Sequence, residues 1–121
     1  SDSTNLIIYG HHMNNGTMFA DLCNYNDYSY FTEHPTVVLE TKDGAFAYSV
    51  FSAMKVKSDD DWYRFITTDL DKTYEKWISY SKTKSLYNTE ITPVYGQQIL
   101  TLSTCYGDNQ NDRILVLAVR N

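Results

Sequence analysis

No stretch of this sequence approaches the roughly 18–20 consecutive apolar residues that a membrane-spanning helix needs. No charged-then-apolar leader opens it either. It has no basic stripe: 10 Lys and Arg stand against 15 Asp and Glu, for a formal charge of −5, so nothing is gathered to neutralise a phosphate backbone. That excludes a nucleic-acid partner as the natural reading. Cysteine is scarce, with only Cys23 and Cys105. Counting alone permits a disulfide, but the settings differ. Cys23 closes Met18-Phe19-Ala20-Asp21-Leu22-Cys23, which reads as a short helix with a buried face, whereas Cys105 follows a β-rich run and precedes a polar loop. Two free thiols with different tasks are expected. The first apolar run, Leu6–Tyr9, follows almost at once on Ser1–Thr4, which raises the expectation that an upstream segment is missing.

The chain is rich in packing surface. Apolar residues make up 42% of its 121 positions and aromatics 15%, enough for one packed domain spanning residues 1–121 and too much for a disordered one. Eleven of the aromatics are tyrosines, whose flat rings suit a pleated sheet. Leu6-Ile7-Ile8-Tyr9, stopped by Gly10, has the pattern of a buried strand. A polar loop from His11 to Thr17, with Asn14-Asn15-Gly16 as a turn signal, leads to a short helix around Met18–Asn24 and a Tyr/Asn/Asp-rich connection to Tyr30. Val37–Thr41 and Ala45–Val56 read as strands joined by the hairpin turn Lys42-Asp43-Gly44. The second alternates Phe46, Tyr48, Val50 and Ser52 against Ala45, Ala47, Ser49 and Phe51. Ser58-Asp59-Asp60-Asp61 lacks the alternating ligand spacing of a calcium loop and reads as a solvated turn.

Further on, Leu70, Tyr74, Trp77 and Ile78 fall on one face of a helix over 70–81, with Thr68 or Asp69 available as its cap. The last strands are expected at Gln98–Thr104 and Ile114–Val119, joined by the loop Tyr106–Asp112. This order predicts a mainly-β fold: a closed or nearly closed barrel with short helices and one longer helix before the penultimate strand.

Three residues carry potential chemistry. Cys105 stands at the end of an apolar strand before a loop rich in Gly, Asp and Asn, where a reactive group or a small structural hydrophobe are both at home. Arg113 lies eight residues on, where a hairpin would bring it beside Cys105. A guanidinium held beside a thiol favours the thiolate and can donate hydrogen bonds to a developing oxyanion. On spacing alone, Arg113 reads equally well as a surface partner of Asp108 or Asp112. His11 follows a strand and a glycine at another edge, and an imidazole there could give a proton to a leaving amine and later take one from an incoming amine. His12 would point elsewhere if the backbone is extended, and His34, before Pro35, reads as a surface or packing residue.

These residues sit in a recognisable frame. Thr101-Leu102-Ser103-Thr104-Cys105 resembles the TLxTC signature of sortases, Tyr9-Gly10-His11 resembles the family's strand-Gly-His element, and Asp112-Arg113-Ile114-Leu115-Val116 resembles the arginine-bearing start of its last strand. Gly10-His11-His12-Met13 with Gly16-Thr17-Met18-Phe19, and His34-Pro35-Thr36, resemble the GHNM…GTMF and HPT patterns of class B, and the helix before Ser85-Leu86-Tyr87 falls where that class inserts one. His12 stands where the class usually has Asn, and the Cys105-to-Arg113 loop is short.

The resemblance implies a cysteine transpeptidase with Cys105 as nucleophile, His11 as proton donor and acceptor, and Arg113 as the oxyanion and substrate holder. Ser103 and Thr104 would be groove contacts. Its substrate would be a C-terminal sorting peptide of the LPxTG kind, in class B of the NPxTN or SPxTG type, cleaved after Thr. The acceptor would be an amine of peptidoglycan or of a pilin. No cofactor and no metal are implied. The enzyme would work on the outer face of the plasma membrane, at the cell surface of a Gram-positive bacterium, held by an anchor this chain lacks. A cysteine hydrolase with the same site, or an inactive β-barrel binding fragment, are the alternatives.

Overall fold

The final two apolar runs form the centre of the molecule because both of their faces are covered. In the computed structural model, which describes residues 3–10 and 18–121, β4 (Ile99–Cys105) and β5 (Asp112–Arg120) pair antiparallel and are buried over almost their whole length. Near-continuous burial is what a strand covered on both faces requires. The first strand, β1 (Asn5–Gly10), runs parallel to β4, while the hairpin of β2 (Thr36–Thr41) and β3 (Gly44–Lys57) adds to β5 on the other side. The resulting five-stranded sheet has the order β1-β4-β5-β3-β2 and curls as a half-barrel. The mainly-β, barrel-like expectation holds. Gly44 closes the β2–β3 turn with φ +130°, a conformation that disfavours side chains with a Cβ.

Each face has its own core. On one, Leu100, Leu102, Val116 and Ala118 pack against Leu22 and Tyr25, from a 3-10 helical stretch at Met18–Asn26, and against Phe31 of α1 (Tyr28–Glu33). On the other, Ile99, Leu115, Leu117 and Val119 pack against Trp62 and Phe65, and against Tyr74 and Ile78 of α2 (Asp71–Lys84). Trp62 belongs to a 3-10 turn at Asp61–Arg64.

Four local expectations are corrected. The alternation in β3 holds only to Val50: a bulge between Val50 and Ser52 shifts the phase, so Ala53 takes the face of Val50 while Phe51 and Met54 take the other. The connection to Tyr30 contains α1, whose polar and aromatic text has no helical stripe. Leu70 is exposed and stands at the N-cap of α2, and neither Thr68 nor Asp69 caps a helical N–H there; Thr68 Oγ1 accepts from the N–H of Leu70 itself. Asp60 is not solvated. Its carboxylate accepts from the Trp62 N–H, the Tyr80 hydroxyl and Lys84. Burial alone would raise the Asp60 pKa, but these donors outweigh it and hold it below the usual value, so this stabilisation is present at neutral pH and is lost as pH falls through the folded value.

Because β2 pairs only with residues 44–49 of β3, the rest of that strand's edge has backbone carbonyls to satisfy elsewhere. Thr89 Oγ1 donates to Phe51 O, and Leu86 N to Ala53 O, so the segment after α2 closes this sheet edge. Lys82 anchors the same segment by donating to Thr89 Oγ1 and Ile91 O, and burial lowers its pKa. Lys82→Met keeps the stem and removes the donors. We expect it to cost about 1.5–3 kcal/mol, read as a lower urea midpoint with an unchanged slope.

Candidate active site

The strand registers converge at one end of the sheet. Gly10 of β1 pairs with Thr104 of β4, and Cys105 pairs directly with Arg113 of β5. Successive residues of a strand point to opposite faces, and Leu100 and Leu102 face the Leu22 side. Thr101, Ser103 and Cys105 therefore share the face of Ile99, and Arg113 shares that of Leu115 and Leu117. Directly opposed residues on one face have Cβ atoms roughly 4.5–5.5 Å apart. Cys105 and Arg113 are thus neighbours by register, and Cys105 is exposed.

The alternative reading of Arg113 as a surface ion-pair partner is not realised. Its Nη1 donates to the carbonyls of Gln110 (2.6 Å) and Asp112 (2.9 Å), both in its own loop. The Asp112 carboxylate is instead paired with Lys57 at 2.6 Å. The guanidinium is thereby oriented by neutral carbonyls, and its other nitrogens are not spent on them. Tyr9, Gly10, Ser103, Thr104, Cys105 and Arg113 line a cavity of about 180 Å³.

A polar relay lies beneath this cavity. Trp62 Nε1 donates to Thr101 Oγ1 (2.9 Å), Thr101 Oγ1 donates to Asn5 Oδ1 (2.7 Å), and Asn5 Nδ2 donates to Phe65 O (2.8 Å). All of these side chains are buried. The first Thr of the Thr101–Cys105 signature therefore holds β1, β4 and the 61–65 segment in register rather than facing substrate. Ser103 lies one step nearer Cys105 and shares a hydrogen bond of 2.8 Å with the Tyr63 hydroxyl. The ring of Tyr63 stacks on Tyr9, with centroids 5.9 Å apart. Burial raises the Tyr63 pKa, more than the Ser103 hydrogen bond and the Arg113 charge lower it, so its hydroxyl stays neutral. Thr104 is buried on the opposite face, and its Oγ1 has no hydrogen-bond partner among the described residues.

The two thiols are free, as expected. Cys23 Sγ donates to the backbone carbonyl of Cys105 at 3.8 Å. Burial, and then the proximity of Cys105, push the Cys23 thiol up, which suits it as a protonated donor behind the strand end. His11, with His12, lies outside the described residues; Gly10, to which it is bonded, ends β1 opposite Thr104. His34 stacks on Tyr30 in an exposed position away from this site. Tyr63 and Cys23 are the site neighbours that sequence reasoning did not find, because neither stands in a motif and each arrives through long-range contacts, while Tyr9 stood out only as the residue before Gly10-His11.

The sheet thus opposes a thiol and a guanidinium at the ends of its last hairpin. The family model described as "Sortase domain" matches residues 1–121, and the chain belongs to the sortase family. Within it the similarity is to class B. Sortase B of Staphylococcus aureus is 34% identical over 119 residues, which are 94% of this chain and 47% of that protein. A solved Staphylococcus aureus sortase B–substrate complex superposes with a TM-score of 0.85 at 31% identity, covering 98% of this chain and 56% of that one. A crystal structure of sortase B complexed with triglycine gives 0.84 at 31% identity, with 98% and 56% covered. The chain spans about half the length of the curated relatives it matches. None of its described helices is long and apolar enough to cross a membrane.

Proposed function

We propose that this chain carries the acyl-transfer centre of a class B sortase, a cysteine transpeptidase that cuts a sorting peptide after threonine and joins it to an amine. The observation that carries the reading is the direct pairing of Cys105 with Arg113 beside a cavity open to solvent. The relatives described as a substrate complex and a triglycine complex support a peptide donor and a glycine-type amine acceptor. Cys105 Sγ attacks the threonine carbonyl carbon, and the oxygen takes up negative charge that the Arg113 guanidinium stabilises. The C–N bond then breaks, His11 gives a proton to the departing amine, and a thioester remains. An incoming amine loses a proton to His11, attacks the thioester and releases the thiolate. Ser103, held by Tyr63, and Thr104 contribute to the cavity that receives the peptide. The finer substrate reading is a peptide of the NPxTN or SPxTG type and an acceptor on peptidoglycan or a pilin, at the outer face of a Gram-positive membrane.

Two measurements test this. Incubation with a donor peptide and triglycine should give the amide product; a product made only with water would establish the hydrolase instead. Arg113→Ala should lower kcat/KM for the donor by about 10²–10³-fold, the usual effect of losing one oxyanion donor. Activity close to that of the unaltered protein would remove Arg113 from the site.

A further inference from the structure

Asp60 is the one residue that ties the Asp61–Arg64 turn to both β3 and α2. Its side chain is only 9% exposed, and both carboxylate oxygens are engaged. Oδ2 accepts from the Trp62 N–H at 3.1 Å and from the Tyr80 hydroxyl at 2.8 Å, and Oδ1 accepts from Lys84 at 2.9 Å. The backbone of Asp60 completes the clamp: its N–H donates to Lys57 O at the end of β3, and its carbonyl accepts from the N–H of Tyr63 at 3.2 Å. Capping the turn does not call for a charge, since neutral Asn and Ser cap as well as Asp. Nor does burying an ion pair bring much net stability, because desolvation offsets most of the attraction. What the clamp does accomplish is to fix where the turn sits against the sheet.

The turn meets the sheet through two successive side chains. Trp62 donates to Thr101, and Tyr63 bonds Ser103, so both grip the face of β4 that carries Cys105. Trp62 is fully buried among Phe65, Trp77 and Tyr80, and that packing holds it. Tyr63 is only partly buried, so its place depends more on the backbone that Asp60 caps. Its two partners stand close to the chemistry: Ser103 lies two residues before Cys105 in the chain, and Tyr9, on which its ring stacks, lies two before His11. Ser103 and Tyr9 are paired across β4 and β1. We propose that Asp60 is a positioning residue for the reaction at Cys105: by fixing the turn it keeps the Tyr63 hydroxyl on Ser103, and so aims the strand end that bears the thiol. The proposal rests on the acyl-transfer reading above. Asp60 does not line the Cys105 cavity, so its effect falls on the rate of attack and not on the hold on the peptide. A misplacement of about 1 Å in a reacting group can cost on the order of 10²-fold.

The test uses the whole chain and two readouts. The first is the rate of thioester formation from a donor peptide, measured across donor concentration in Asp60→Ala, Asp60→Asn, Tyr63→Phe and the double variant Asp60→Ala with Tyr63→Phe. Asp60→Ala should lower the maximal rate by about 10–100-fold. The donor concentration at half-maximal rate should stay within about twofold, since an interaction that only aims the attacking group is not one that binds the ground state. Tyr63→Phe should reproduce this loss, and the double variant should be no slower than the slower single one, the non-additivity of two residues acting through one contact. Asp60→Asn keeps the volume and the cap on Trp62 and so protects the fold; it loses the bond from Lys84 and should be slowed by a smaller factor. The second readout needs no turnover: the amide chemical shifts of Ser103 and Cys105 should move in the same direction in Asp60→Asn and in Tyr63→Phe. Losses that multiply in the double variant, or Ser103 and Cys105 shifts that Asp60→Asn leaves unmoved, overturn the proposal while leaving the acyl-transfer reading in place. No thioester from the folded, unaltered protein overturns that reading, and with it the role assigned to Asp60.

Discussion

Cys105→Ala is expected to abolish turnover of every donor peptide while leaving the protein as stable as before. Loss of a covalent nucleophile costs on the order of 10⁶-fold when the group that attacks the substrate is simply gone. Stability should hold to within about 0.5 kcal/mol, the usual range for an exposed position outside the core. Cys105 is exposed at the end of β4, and what its neighbour Cys23 uses is its backbone carbonyl, which the substitution retains. Cys23→Ala is the matched control. It removes a half-buried, protonated thiol behind the strand and should leave most of the activity in place. Thermal unfolding and donor cleavage, measured together on both variants, separate the two cysteines. Comparable activity loss in both would show that Cys23 takes part in the chemistry.

The largest effect on stability is expected at Trp62. It is fully buried, packs edge-on against Phe65 and Trp77, and donates to Thr101 Oγ1. Trp62→Ala should cost about 3–5 kcal/mol, a large share of the roughly 5–15 kcal/mol that holds a domain folded. Trp62→Phe separates packing from hydrogen bonding. It keeps most of the ring and loses the Nε1 donor, and should cost about 1–3 kcal/mol. Because Thr101 passes the bond on to Asn5 of β1, the Phe variant should also loosen β1 against β4. Hydrogen exchange at Ile7 and Ile8 reads that directly. Unchanged protection there would mean that the relay does not hold the strand.

How much of this was legible in the sequence differs by element, for physical reasons. The last hairpin was readable because strand length, loop length and the eight-residue spacing of Cys105 and Arg113 are local facts, and local register fixes their opposition. The face alternation in β3 was readable only up to Val50, since the bulge there is a feature of the pairing with β5, which lies far along the chain, beyond α2, and leaves no local signal in the strand. Asp60 could not be told from Asp59 and Asp61 by sequence, because what buries it is Tyr80 and Lys84 of a helix twenty residues away. Tyr63 was hidden among eleven tyrosines of similar local chemistry, and only the pairing of β1 with β4 selects it to stack on Tyr9 and bind Ser103.

The proposed function turns on a thioester between Cys105 and a sorting peptide. Intact-mass spectrometry after incubation with a small panel of NPxTN-, SPxTG- and LPxTG-type peptides tests it most directly. The expected result is a mass gain equal to the peptide fragment ending in threonine, present in the unaltered protein and in Cys23→Ala and absent from Cys105→Ala. An adduct that persists in Cys105→Ala, or none with any peptide from a protein shown to be folded, would contradict it.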